Sequence, residues 1–110
     1  MQYHHTGVVT DQKQSGEVYV EATKVWVTNP EDHPYRIEFL RFEPDTPVKS
    51  PVKDHCHIAY RVDDLEASLV GKNVVLGPFD ALDGLRVAFV EENGAVLEYM
   101  HFSGGRTEIS

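Results

Sequence analysis

At 110 residues the chain is one domain in size and buries roughly two thirds of its unfolded surface. A formal net charge of −8 excludes a nucleic-acid binder, which needs Lys and Arg to neutralise phosphates, and no apolar run approaches the roughly 20 residues that span a bilayer. The single Cys56 excludes an internal disulfide and, with no basic-then-apolar leader at Met1-Gln2-Tyr3-His4-His5, implies a cytoplasmic setting.

In chain order, residues 4–10 predict a first strand. Asp11 to Glu17 carries no apolar stripe for a helix, so a turn or a stub of helix is expected there, with a short extended segment possible at 18–20. Residues 24–29, with Val25 and Val27 alternating, and residues 35–43 predict two further strands. Three prolines, Pro44, Pro47 and Pro51, mark a connection rather than an element. They divide the chain into unit one (3–43), a linker (44–54) and unit two (55–103).

Unit two reads more clearly. Ile58, Tyr60 and Val62 alternate with His57, Ala59 and Arg61, a strand with one apolar face turned to a following helix. That helix is expected over residues 63–70, with Asp63 and Glu66 as a capping box, Leu65 and Leu69 on one face, and Gly71 ending it. Residues 73–76 suit a short strand before a Gly-Pro loop. Leu85 to Glu92 and Ala95 to His101 are strands joined by Asn93-Gly94, a strong signal for a two-residue hairpin. The order is β-α-β-β-β, and the tail from Ser103 to Ser110 reads as frayed.

One pattern occurs twice. His5-Thr6-Gly7 opens the first unit and His57-Ile58-Ala59 the second, each with an Asp six places after its His (Asp11 and Asp63). Ile37-Glu38-Phe39-Leu40 closes the first and Leu97-Glu98-Tyr99-Met100 the second. Residues two apart on a strand share a face. The hairpin turn therefore sets Phe89 opposite Glu98 and Val87 opposite Met100, so Glu98 stands among Val87, Phe89, Val96 and Met100. His5 shares a face with Gly7 and Val9 while His4 points the other way. A buried Glu among apolar neighbours needs a compensating positive charge. Two Glu and two neutral His would bring a divalent ion to zero formal charge; the set suits zinc, nickel, cobalt, manganese or ferrous iron without choosing among them. A lone His or Glu of this kind is ordinarily structural, and the repetition is what favours a site. Cys56 points opposite to His57 by parity and is left out.

Paired β-α-β-β-β units that open with His-x-small and close with apolar-Glu-apolar resemble the vicinal oxygen chelate superfamily. That group includes glyoxalase (lactoylglutathione lyase), methylmalonyl-CoA epimerase, extradiol dioxygenases and the fosfomycin and bleomycin resistance proteins. His57 to Glu66 is similar to the family's opening strand and helix; the likeness covers residues 55–102 well and 3–43 in part. It implies an α+β fold of two paired βαβββ units, the first with a shortened or missing helix. It also implies His5, Glu38, His57 and Glu98 as metal ligands, the same four that parity selects. Residues 11–23 lack the family's aromatic-rich helix, so much of the larger relatives' substrate pocket is absent or supplied by a partner chain.

The function implied is a metal-dependent lyase or isomerase of the glyoxalase or epimerase type. The ion would act as a Lewis acid on a substrate with vicinal oxygens. Glu98 or Glu38 would be the base that leaves an enediolate or enolate. Glu38 discriminates this branch from the superfamily's iron dioxygenases, which use two His and one Glu. The alternatives are a non-catalytic small-molecule binding or resistance protein of the same fold, or an inert structural descendant. Arg36 and Arg61 share faces with proposed ligands and, with Phe89 and Met100, are the expected substrate-binding residues, favouring a small acid. The uncovered reverse face of the first sheet, with Ile37 and Phe39, predicts a homodimer.

Overall fold

A computed structural model describes residues 1–109. Eight strands form one mixed sheet: β1 Gln2–Val9, β2 Val18–Val20, β3 Val25–Val27, β4 Ile37–Phe42, β5 His57–Arg61, β6 Asn73–Leu82, β7 Leu85–Glu92 and β8 Ala95–Phe102. Among the described residues one α-helix, α1 Leu65–Leu69, follows β5, and two short 3₁₀ turns, Glu21–Thr23 and Pro30–Asp32, lie in the first half. Among the described residues no helix is long and apolar enough to cross a membrane.

The strand order is β2-β3-β4-β1-β5-β8-β7-β6. Each unit contributes four neighbouring strands, its first strand parallel to its last: β1 to β4 and β5 to β8. The two units meet edge to edge where β1 runs antiparallel to β5. The sheet curls so that the inner faces of both units enclose one apolar core, which includes Val25, Val27, Leu40, Val87, Val96 and Met100. On the outer face of unit two, Val62, Leu65, Ala88, Val90 and Tyr99 form a second cluster. Leu65 is almost wholly buried there, a side chain whose burial contributes about 1.5–3 kcal/mol.

The first unit has no α-helix; the short strand β2 and a 3₁₀ turn stand in the segment after β1. Several expectations need correction. The helix cap is Asp64, whose carboxylate accepts from the Ala67 amide at 3.1 Å, so the helix begins one residue later than a cap at Asp63 requires. The Gly77-Pro78 pair does not end a strand: β6 continues to Leu82, taking up the irregularity in three register shifts against β7. Ile58 is exposed rather than turned to the helix. The proline-rich linker is also part of the core, because Val48 and Val52 are buried against the inner face.

Through Ile109 the tail is docked rather than frayed, and Ser110 lies outside the described residues. Ile109 is buried in the same core. Arg106 fixes the segment, donating through Nη1 to the carbonyls of Glu108 (3.1 Å) and Ile109 (2.8 Å) and through Nε to that of Asp83 (2.5 Å).

Candidate metal centre

The site lies where the two units join. On β1 and β5, His5 stands opposite Ala59 and Gly7 opposite His57. The His-x-small word now has a physical meaning: each unit's small residue makes room for the other unit's imidazole. A Cβ placed on Gly7 would lie 2.1 Å from Cε1 of His57, far inside van der Waals contact. Flanking these strands, β4 carries Glu38 and β8 carries Glu98, each beside its own unit's first strand.

The four side chains converge. His5 Nε2 lies 3.2 Å from Glu38 Oε1 and 3.4 Å from Glu98 Oε1. His57 Nε2 lies 3.1 Å from Glu98 Oε1, 3.8 Å from Glu38 Oε1 and 3.4 Å from His5 Nε2. One donor atom from each residue falls within a set spanning at most 4.8 Å, and all four residues are buried. With bonds of about 2.0–2.2 Å, tetrahedral ligands stand about 3.3–3.6 Å apart, close to the separations here. The four residues are therefore near enough together to hold a metal ion.

Electrostatics describe the same groups without an ion. Burial alone would lower the pKa of His5, but the charge of Glu38 and hydrogen bonds with Glu38 and Glu98 raise it to about 10. Burial alone would raise Glu98, but hydrogen bonds from His5 and His57 hold it at about 2. Without an ion, a proton on His5 offsets part of the buried carboxylate charge.

The other expected residues separate into two groups. Phe89 and Met100 line a cavity of about 60 Å³ inside the curl, together with Glu38, Glu98 and mostly apolar side chains that include Ile109. Phe89 also meets the His57 ring edge-on at 5.2 Å between centroids. Arg36 and Arg61 do not line that cavity. Arg36 precedes β4 with φ of 54°, so strand parity does not apply to it. Its guanidinium donates to Glu108 at 3.2 Å and to the His4 carbonyl at 2.5 Å. Arg61, at the end of β5, stacks over the Phe102 ring at 5.1 Å. Cys56 is exposed.

Parity also misplaced His4. Tyr3 pairs with Tyr60 and His5 with Ala59, so His4 is the extra residue of a bulge. A bulge cancels the alternation, and both rings turn inward: His4 is as buried as His5, with Nδ1 atoms 2.6 Å apart. His4 Nε2 then reaches Glu108 Oε1 at 2.9 Å. The adjacent His4-His5 pair was visible in the sequence, but nothing in the spacing announced the bulge or the return of Glu108.

No family model matches the chain, and neither does any curated protein. Among solved structures the chain is similar to that of the hypothetical protein BH1468 from Bacillus halodurans C-125. The two share 18% identity over 96% of this chain and 97% of that one, with a TM-score of 0.69. At that identity the likeness is one of fold.

Proposed function

We propose that the chain is a metal-dependent, glyoxalase-like lyase or isomerase of the vicinal oxygen chelate type, acting on a small substrate with two adjacent oxygens in the cytoplasm. The observation that carries this reading is the buried His5, Glu38, His57, Glu98 cluster, two residues from each unit, opening onto an apolar cavity. The edge-to-edge junction of two four-stranded units supports it as well. The donor set suits a first-row divalent ion (zinc, nickel, cobalt, manganese or ferrous iron), which when bound supplies Lewis acidity toward the substrate oxygens.

The residues divide the remaining work. Glu98 is held by both imidazoles at 3.1 and 3.4 Å and stays a ligand. Glu38 has one comparable contact, 3.2 Å to His5, and a longer one, 3.8 Å to His57. Both carboxylates line the cavity, and the looser hold on Glu38 makes it the one free to take a proton from a carbon next to a carbonyl. Phe89 and Met100 form the dry wall that keeps bulk water from the reacting carbon. Among the described residues no Lys or Arg lines the cavity, which favours a small neutral substrate over a small acid. A cavity of about 60 Å³ also disfavours sequestration of a large drug, the binding-module alternative.

Metal analysis of protein purified without chelator tests the reading. We expect about one divalent ion per chain, retained on gel filtration and lost on combined replacement of Glu38 and Glu98 by Gln. Absence of bound metal, with no uptake of zinc, nickel, cobalt, manganese or ferrous iron on addition, would overturn it.

A further inference from the structure

The metal site proposed above has an outer layer that belongs to one unit alone. His5 directs Nε2 at the cluster, so when that nitrogen donates its lone pair to an ion the ring proton sits on Nδ1. Among the described residues the Nδ1 atom has its hydrogen-bonding contact with Nδ1 of His4, 2.6 Å away. For this contact to be a hydrogen bond, His4 must accept at Nδ1 and carry its own proton on Nε2. His4 Nε2 in turn lies 2.9 Å from Oε1 of Glu108, and Arg36 Nη2 donates to the same carboxylate, at 3.2 Å to Oε1 and 3.4 Å to Oε2. Each proton position follows from the one before it, and the chain ends on an acceptor that is charged and anchored.

Metal-ligating histidines usually donate their second ring nitrogen to a carboxylate or carbonyl, which fixes the ring and strengthens the ligand. Resting on that reading of the site, we infer that His4 and Glu108 are positioning residues for His5. Glu108 acts through His4 across the gap that a direct carboxylate–histidine pair would close. The segment that carries Glu108 is itself anchored from the site side, because Ile109 is buried in the cavity that Glu38 and Glu98 line. Metal binding and docking of residues 106–109 are then coupled, and the coupling is reciprocal: the docked segment tightens metal binding, and bound metal tightens the docking.

Two measurements test this on the full chain with zinc as the ligand. The first is zinc affinity by competition with a chromogenic chelator, for the parent, Glu108→Ala and His4→Phe. Both variants are expected to lose about ten- to a hundredfold in affinity, with Glu108→Gln, which keeps an acceptor oxygen, falling between them and the parent. The second is the rate of tryptic cleavage after Arg106, followed by mass. Zinc should slow that cleavage in the parent and leave it unchanged in His4→Phe, a coupling that a merely structural role for His4 would not produce. Glu108→Ala changes a partly exposed residue outside every strand, so it remains informative if His4→Phe fails to fold. Zinc binding within twofold of the parent in Glu108→Ala, or parent cleavage indifferent to zinc, would overturn the inference and leave the four-ligand site standing. If the parent takes up nickel, cobalt, manganese or ferrous iron in place of zinc, that ion replaces zinc in both measurements; a parent that takes up none of the five removes both.

Discussion

The sharpest test of how the two units build the site is Gly7→Ala, one methyl group added 50 residues away in sequence from the ring it would strike. Gly7 lies in β1 at an ordinary φ, so alanine meets no backbone penalty and the effect isolates sterics. Its Cβ would stand 2.1, 2.4 and 2.6 Å from three atoms of the His57 ring. Non-bonded carbons sit comfortably at about 3.5 Å, so the ring must retreat by roughly 1.4 Å. That movement is blocked by Phe89 edge-on at 5.2 Å and by His5 at 5.5 Å between centroids. Metal bonds tolerate displacements of about 0.2 Å, so His57 would leave the coordination sphere. We expect zinc affinity to fall by at least about a hundredfold, more than loss of an outer-layer partner costs. Overpacking should also destabilise the metal-free fold by about 1–3 kcal/mol, a drop in Tm of several degrees or more at this chain length. Competition titration and thermal unfolding read the two effects separately. Parent-like zinc affinity together with an unchanged Tm would refute the interlocked packing of Gly7 against His57.

Three further outcomes are expected. Glu98→Gln keeps the shape of the carboxylate but removes a charge from the cluster, and should lower zinc affinity by about tenfold or more in the same titration. The metal-free protein should show a stability optimum in pH-dependent unfolding. The His5 contribution, with pKa raised to about 10 from 6.5, is fully present below 6.5 and is lost as pH rises through about 10. The Glu98 contribution, with pKa lowered to about 2 from 4.5, is present above 4.5 and is lost as pH falls through about 2. These two contributions are jointly complete between about 4.5 and 6.5, and zinc, which must displace the His5 proton, should bind more tightly as pH rises; a stability maximum above pH 8 without metal would contradict the His5 shift. Light scattering at micromolar concentration should give a dimer, because no helix covers the outer face of unit one, where Ile37 and Phe39 remain half-buried and Tyr19 is exposed; a monomer counts against it.

Much of the site could be read before the fold because strand parity and one turn determine it. Asn93-Gly94 fixes the hairpin register, and Phe89 does stand opposite Glu98 and Val87 opposite Met100. Parity fails where its premise fails. An extra residue in β1 turned His4 inward, and a positive φ took Arg36 out of the strand pattern. Val48, Val52 and Ile109 could not be recognised as core because each is a single apolar residue in an aperiodic segment. Burial there depends on the curl of a sheet assembled from distant strands. The Gly77-Pro78 pair read as a loop because Pro removes a ladder donor, yet β6 is an edge strand, where a missing donor costs little.

The same bulge makes the centre asymmetric despite its repeated sequence. Both units supply a His, a small residue and a Glu, and the inner four donors stand at similar separations. Outside that ring the likeness ends. His5 is backed by His4, Glu108 and Arg36, whereas Nδ1 of His57 is buried with no hydrogen-bond partner among the described residues. An unpartnered buried polar atom costs about 1–3 kcal/mol, and here it leaves the His57 ring with polar contacts at Nε2 alone, its other side set by packing between Gly7 and Phe89. The two imidazoles are thus equivalent in sequence and unequal in how they are restrained: hydrogen bonds at both ring nitrogens fix one, while the other has a partner at Nε2 only and is otherwise fixed by shape. His57 is also the ligand whose distance to Glu38 is the longest of the four His–Glu contacts, 3.8 Å. If the coordination sphere opens to admit a second oxygen, it has least to break along that edge.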